Sequence, residues 1–264
     1  MTRVASGQLL ETTPSRPYEA LWQGIWEIEK DLDLFRRKIG SVYYWPLFRG
    51  PVAQHLAEAL GLHELPGKSV ARWRMQRGMA ALPQSVTHFP RFEQADSVLV
   101  PFARKPAPGR IDAHSARLLL ESEFGQFLIL DNGSTAISDP SVVSPRVHNW
   151  DVERLRARIL AALTFRRFLS EARREAAAVS ATIRKRFRRD CRLSPVAMAY
   201  RCAAFEYGSA ASREVLAQTA ARRIFIVGRS SAPELLAAAT ELGIPSIELQ
   251  HGVIAKFNPH YHYP

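Results

Sequence analysis

The sequence predicts an α/β fold, a parallel sheet flanked by helices with a helix-rich, aromatic N-terminal region before it. Three observations predict it. The stretch from Arg222 onward reads as a β-branched run, a helix and a second β-branched run. Two more apolar runs, starting at Ser97 and Gly125, bracket another helical stretch. Residues 18–90 carry helical rather than alternating periodicity. Strands joined by a helix must lie parallel, since an antiparallel return needs only a short turn. Helices then cover both faces of such a sheet. The expected division is a helical region over 1–95 and an α/β domain over 96–264.

In chain order, Leu21 to Phe35 forms an amphipathic helix with Trp22, Ile25 and Ile28 on one face. Gly40 opens a turn, and Pro46 blocks continuation into a regular helix before Val52 to Leu60 resume helical spacing up to Gly61. Ser97 to Phe102 is a buried strand, followed by a Pro/Gly-rich loop from Lys105 to Arg110 and a helix from Asp112 to Glu123. Gly125 to Asp131 is the next strand, and Asn132-Gly133 marks a turn. From Asp151 to Arg192 the apolar positions Leu155, Ile159, Ala162, Phe165, Leu169, Ala172, Ala176, Val179, Ile183 and Phe187 step three or four residues at a time. With no Gly or Pro before Pro195, this predicts one continuous helix roughly 55 Å long. Helices over Pro195 to Tyr207 and Ser212 to Ala221 precede the final strand–helix–strand unit. There Ser231 and Glu234 have the spacing of a capping box, and Gly243 closes the helix.

The formal net charge of +11 points to anionic partners of the kind basic chains usually meet: nucleic acid, acidic lipid or a phosphorylated small molecule. Its centre is the long helix, where arginines from Arg154 to Arg192 face few acids. The bland reading is a solvated basic face. The sharper one is a surface that docks on an anionic membrane, each basic side chain adding about 1 kcal/mol. No zinc-finger spacing, RNP-type aromatic motif or helix-turn-helix organises the charge, so no specific nucleic-acid partner is expected. No apolar run is long enough to span a membrane. Residues 1–15 lack a signal peptide's apolar core, which predicts a cytoplasmic protein. Cys191 and Cys202 have no CxxC partner and read as reduced structural thiols.

Gln250, His251 and Gly252 follow the last strand, at the carboxyl edge where open α/β sheets bind ligands. Arg229 and Ser230, with Ser231, fall where a strand meets a helix N-terminus, a natural seat for phosphate or carboxylate. Asp131 ends a strand at the same edge but also serves as turn-former before Asn132-Gly133. The sequence has no GxGxxG, P-loop, nucleophile elbow or HExxH. His251, His260 and His262 have no Cys or carboxylate cluster nearby, so no metal is expected.

Glu248-Leu-Gln-His-Gly-Val-Ile254 with His260-Tyr-His-Tyr-Pro264 resembles a segment near the mid-point of bacterial GT-B glycosyltransferases of capsular and surface polysaccharide assembly. The Trp26-Glu-Ile-Glu29 helix and the Tyr44-Trp-Pro-Leu-Phe-Arg49 block resemble a recurrent N-terminal feature of such proteins. The resemblance implies that residues 96–264 are a Rossmann-like domain on the acceptor side of the enzyme. It implies a nucleotide sugar as donor substrate, a polysaccharide or lipid-linked acceptor, and no tightly bound cofactor. His251 would be general base or donor contact, Gly252 would admit the ligand to the backbone, Arg49 and Arg229 would meet anions, and Trp45 would stack on a sugar ring. It also implies a second Rossmann-like domain beyond Pro264, so this chain alone is expected to turn over no sugar nucleotide. Two other readings stay open: a non-catalytic scaffold using its basic face on membrane or nucleic acid, and a glycerophosphate-type polymer transferase.

Overall fold

A computed structural model describes residues 16–62, 92, 94–101, 113–120, 122–131, 146–228 and 232–249. Helix α1 (Arg16–Asp31) forms where Leu21, Trp22, Ile25 and Ile28 recur at helical spacing, and all four are buried. A two-residue hairpin follows, β1 (Lys38–Ile39) against β2 (Val42–Tyr43). Gly40 turns it at φ 60°, a backbone conformation that side chains with a Cβ resist. Helix α2 (Trp45–Ala59) starts two residues after β2. Pro46, expected to block a helix, instead lies in its first turn, where a missing N–H forfeits no intrahelical bond.

The remaining strands are β3 (Ser97–Val100), β4 (Phe127–Asp131), β5 (Arg146–Asn149), β6 (Arg223–Val227) and β7 (Ser246–Leu249). They form one sheet in the order β5-β4-β3-β6-β7, and every neighbouring pair is parallel. The first strand of the sheet thus sits at its centre, and the chain winds outward from it in both directions. This is a Rossmann-like α/β fold. Strand β5 is an addition to the sequence reading: Arg-Val-His-Asn has a single apolar residue and no alternation to reveal it.

Alternation along the central strands sends side chains to two different cores. Val98, Val100, Leu128, Leu130, Ile224 and Ile226 face one side, with Leu235, Ala238 and Ala239 of helix α7 (Pro233–Glu241) packed over them. Leu99, Ile129 and Phe225 face the other, where Ala116 and Leu118 of the short helix α3 (Ala113–Leu118) and Phe124 of the 3-10 turn Ser122–Phe124 cover them. The sequence placed a single helix over Asp112 to Glu123. The ordered helix stops at Leu118, and Gly125 at φ 69° brings the chain back to the sheet.

The basic stretch is not one helix. It comprises α4 (Trp150–Thr164), a 3-10 turn at Phe165–Phe168, and α5 (Leu169–Phe187), which ends at Arg188 in a left-handed conformation. The tightened turn drives Phe168 into the core against Gly40, so close that a Cβ on Gly40 would overlap the ring. The predicted stripe holds along α5, where Ala172, Ala176, Val179 and Ile183 are buried. It fails along α4, whose buried face is Val152, Glu153, Ala157 and Ala161, leaving Ile159 and Ala162 in solvent.

Helices predicted separately around Gly208 are one, α6 (Pro195–Thr219), capped by the Ser194 hydroxyl accepting the Ala197 N–H at 3.3 Å. Gly208 does not break it but lets Glu234 of α7 pack closely; a Cβ there would stand 2.8 Å from Glu234 Cγ. The N-terminal half of α6 contributes Met198, Ala199, Cys202 and Ala203 to a helical core shared with α1, α2, the hairpin and α5. Its C-terminal half contributes Val215 and Leu216 to the core of the sheet. The helical core therefore draws on chain from both sides of residue 95, and that position marks no boundary between cores.

Candidate functional site

Because all five strands run the same way, their carboxyl ends share one edge: Val100, Asp131, Asn149, Val227 and Leu249. The strand order reverses between β3 and β6. The chain leaves β3 towards the face covered by α3 and leaves β6 towards the opposite face, covered by α7. Where neighbouring connections diverge in this way, a crevice opens at the strand ends, and open α/β sheets bind their ligands there. On the β6 side Gly228 is buried and takes φ 82°, so the chain turns off the strand in a conformation that favours glycine.

Arg229 and Ser230 lie outside the described residues, as do Ser231, Gln250, His251 and Gly252. The strand ends that lead into them are described. Val227 pairs with Leu249, so the two segments set out from adjacent strands at the same edge, next to the reversal in strand order. The capping box expected from Ser231 involves a residue outside the described ones. Ala232 occupies the N-cap without a side-chain cap, Pro233 opens the helix, and Glu234 falls in the first turn. Glu234 lies against Gly208, and its Oε2 is buried without a hydrogen-bond partner among the described residues.

Arg49 and Trp45 have a different role from the one expected. Both are in α2 and almost wholly buried, at 2% and 1% exposure. Glu29 of α1 accepts from Arg49 Nε at 2.5 Å and from Trp45 Nε1 at 2.8 Å. The Arg49 guanidinium also lies over the rings of Trp22 and Phe35. A planar cation that is always charged enters an apolar core only when a carboxylate matches it, and here the match joins the first two helices. Neither side chain presents itself to a ligand. The signal was in the sequence: Glu29 follows Trp22 and Ile25 at helical spacing, and a carboxylate on an apolar stripe requires a buried partner.

A second buried carboxylate works the same way. Glu175 of α5 accepts from Arg37 Nη1 at 2.8 Å and from the Tyr44 hydroxyl at 3.0 Å. Burial, reinforced by the negative charge of Glu175, pushes the Tyr44 phenol well above its usual range. On β5, His148 packs edge-on to Phe92, with Nε2 3.4 Å from Glu153 Oε1. Burial raises the Glu153 pKa, but His148 and the Arg156 guanidinium outweigh it and hold the carboxyl below its ordinary value. Burial pushes the thiol of Cys202 up to about 12, helped by Glu171, and raises that of Cys191 as well. Both are inert packing groups. Among the described residues no three His, Cys, Asp or Glu side chains gather as metal ligands would.

No family model matches the chain, and comparison with curated proteins and with solved structures finds no significant match.

Proposed function

We propose that the chain is the acceptor-side domain of a glycosyltransferase that moves a sugar from a nucleotide donor to a growing surface polysaccharide or lipid-linked acceptor. One observation carries the reading: the doubly wound sheet starts the Arg229-Ser230 and Gln250-His251-Gly252 segments from paired strand ends beside its reversal point. The resemblance of the second segment to the GT-B loop supplies the chemistry. In that chemistry the acceptor hydroxyl oxygen attacks the anomeric carbon as the bond to the nucleotide phosphate breaks. His251 takes the hydroxyl proton, and Arg229 with Ser230 meets the phosphate beside the N-terminus of α7. Gln250 and Gly252 hold the ligand against the backbone. The place of action is the cytoplasmic face of the cell membrane, where lipid-linked acceptors reside.

The test is transfer itself. Membranes from cells expressing the intact protein are incubated with a panel of labelled nucleotide sugars and a lipid-linked acceptor. The expected result is label in the acceptor from one donor, above membranes lacking the protein. Release of glycerophosphate polymer instead, or no transfer from any donor, contradicts the reading.

A further inference from the structure

In its C-terminal half, helix α4 buries two alanines and leaves its large apolar residues in solvent. Ala157 and Ala161 are buried, whereas Ile159, Leu160 and Leu163 are 43%, 44% and 74% exposed. At 100° per residue these three occupy one arc of about 100°; Ile159 and Leu163 lie roughly 120° or more round the helix from both alanines, and Leu160, about 60° from Ala157, forms the edge of the arc. A single exposed leucine is ordinary, but three on adjacent turns form an apolar patch. Arg158 lies about 100° round the helix from Ile159, at the edge of the exposed face, and Arg166 one turn beyond Leu163; both are exposed and make no ion pair with a described residue.

We infer that the outward face of α4 is a docking surface for an anionic lipid bilayer. Ile159, Leu160 and Leu163 enter the acyl boundary, and Arg158 and Arg166 meet the headgroup phosphates. Each part of the patch rules out another occupant. Nucleic acid would use the arginines and leave the leucines wet. A second copy of this chain would bring the same cationic rim against itself, because a two-fold contact joins identical surfaces. A bilayer of acidic lipid is apolar and anionic at the right depths for both groups. No helix among the described residues is long and apolar enough to cross a membrane, so α4 lies on the surface. The inference rests on the membrane location within the proposed function and not on its transfer chemistry.

The test is cosedimentation of the full chain with phosphatidylcholine vesicles, with and without phosphatidylglycerol, at low and high salt. Binding is expected to favour the anionic vesicles by about tenfold or more and to weaken as salt rises. The double substitution Ile159→Ser, Leu163→Ser is expected to lower binding about tenfold at unchanged melting temperature, since both positions are exposed. Arg158→Ala with Arg166→Ala is expected to lower it by up to about 25-fold, at roughly fivefold per charge. A polarity-sensitive label on Leu163→Cys should shift to the blue on anionic vesicles alone. Equal binding to both vesicle types, no binding to either, or apolar variants that bind like the parent would overturn the inference. A dimer that the apolar substitutions dissociate would overturn it too, and would make a second copy the occupant. Transfer to a water-soluble acceptor is independent of these outcomes, so the inference and the proposed function fail separately.

Discussion

Arg49 and Trp45 sit in a block whose residue types suit sugar and phosphate recognition, yet the fold uses them to close the helical core. Nothing within the block itself settles this. The deciding residue is Glu29, in a different helix, and the side chains of Arg49 and Glu29 are buried together at 2% and 3% exposure. Removing one partner of a buried ion pair leaves the other charge in an apolar medium and costs about 3 kcal/mol or more. Glu29→Gln is therefore expected to lower stability by about 3 kcal/mol, read as a fall in denaturant midpoint at unchanged slope. An unchanged midpoint would mean that Arg49 is free to serve a ligand. His251 is the opposite case. The role proposed for it rests on the resemblance and on its place in the chain, two residues beyond Leu249, the last residue of β7, which pairs parallel with β6.

At the level of elements, the central strands were legible because four to five apolar residues bounded by turn signals have few other uses. Errors fell where tertiary contacts set the boundary. The basic stretch contains no helix breaker, so its division at Phe165–Phe168 follows from Phe168 reaching the hairpin, a contact between residues far apart in sequence. Gly208 falls between the two helices expected there but is a packing position inside one helix, since a Cβ on it would press on Glu234. The hairpin contact can be isolated by comparing two glycines. Gly40 at φ 60° lies under the Phe168 ring, whereas Gly61 at φ 70° has nothing near its Cβ position. Gly61→Ala carries only the backbone penalty, about 1 kcal/mol. Gly40→Ala adds overlap with a buried ring and is expected to cost about 1–3 kcal/mol more. Equal melting temperatures for the two variants would show that Phe168 yields without cost and that the contact does not fix the break.

Over the whole molecule, a Rossmann-like sheet and a helical core share one long helix, and the basic charge concentrates on the helices rather than on the strands. The fold class was readable from strand–helix alternation, and the shared carboxyl edge of the strands followed from parallel pairing alone. The apolar outer face of α4 was not readable. Periodicity shows which residues share a face, but two faces of α4 are apolar, and only packing against α6 chose the alanines. The central claim is that chemistry resides at the carboxyl edge of the sheet and not in the aromatic helical core. It is tested most directly by measuring sugar transfer and melting temperature together for the protein carrying His251→Ala. The account predicts loss of transfer on the order of a hundredfold, the cost of a missing general base, with the melting temperature unchanged. A folded variant that transfers at the parental rate would contradict it.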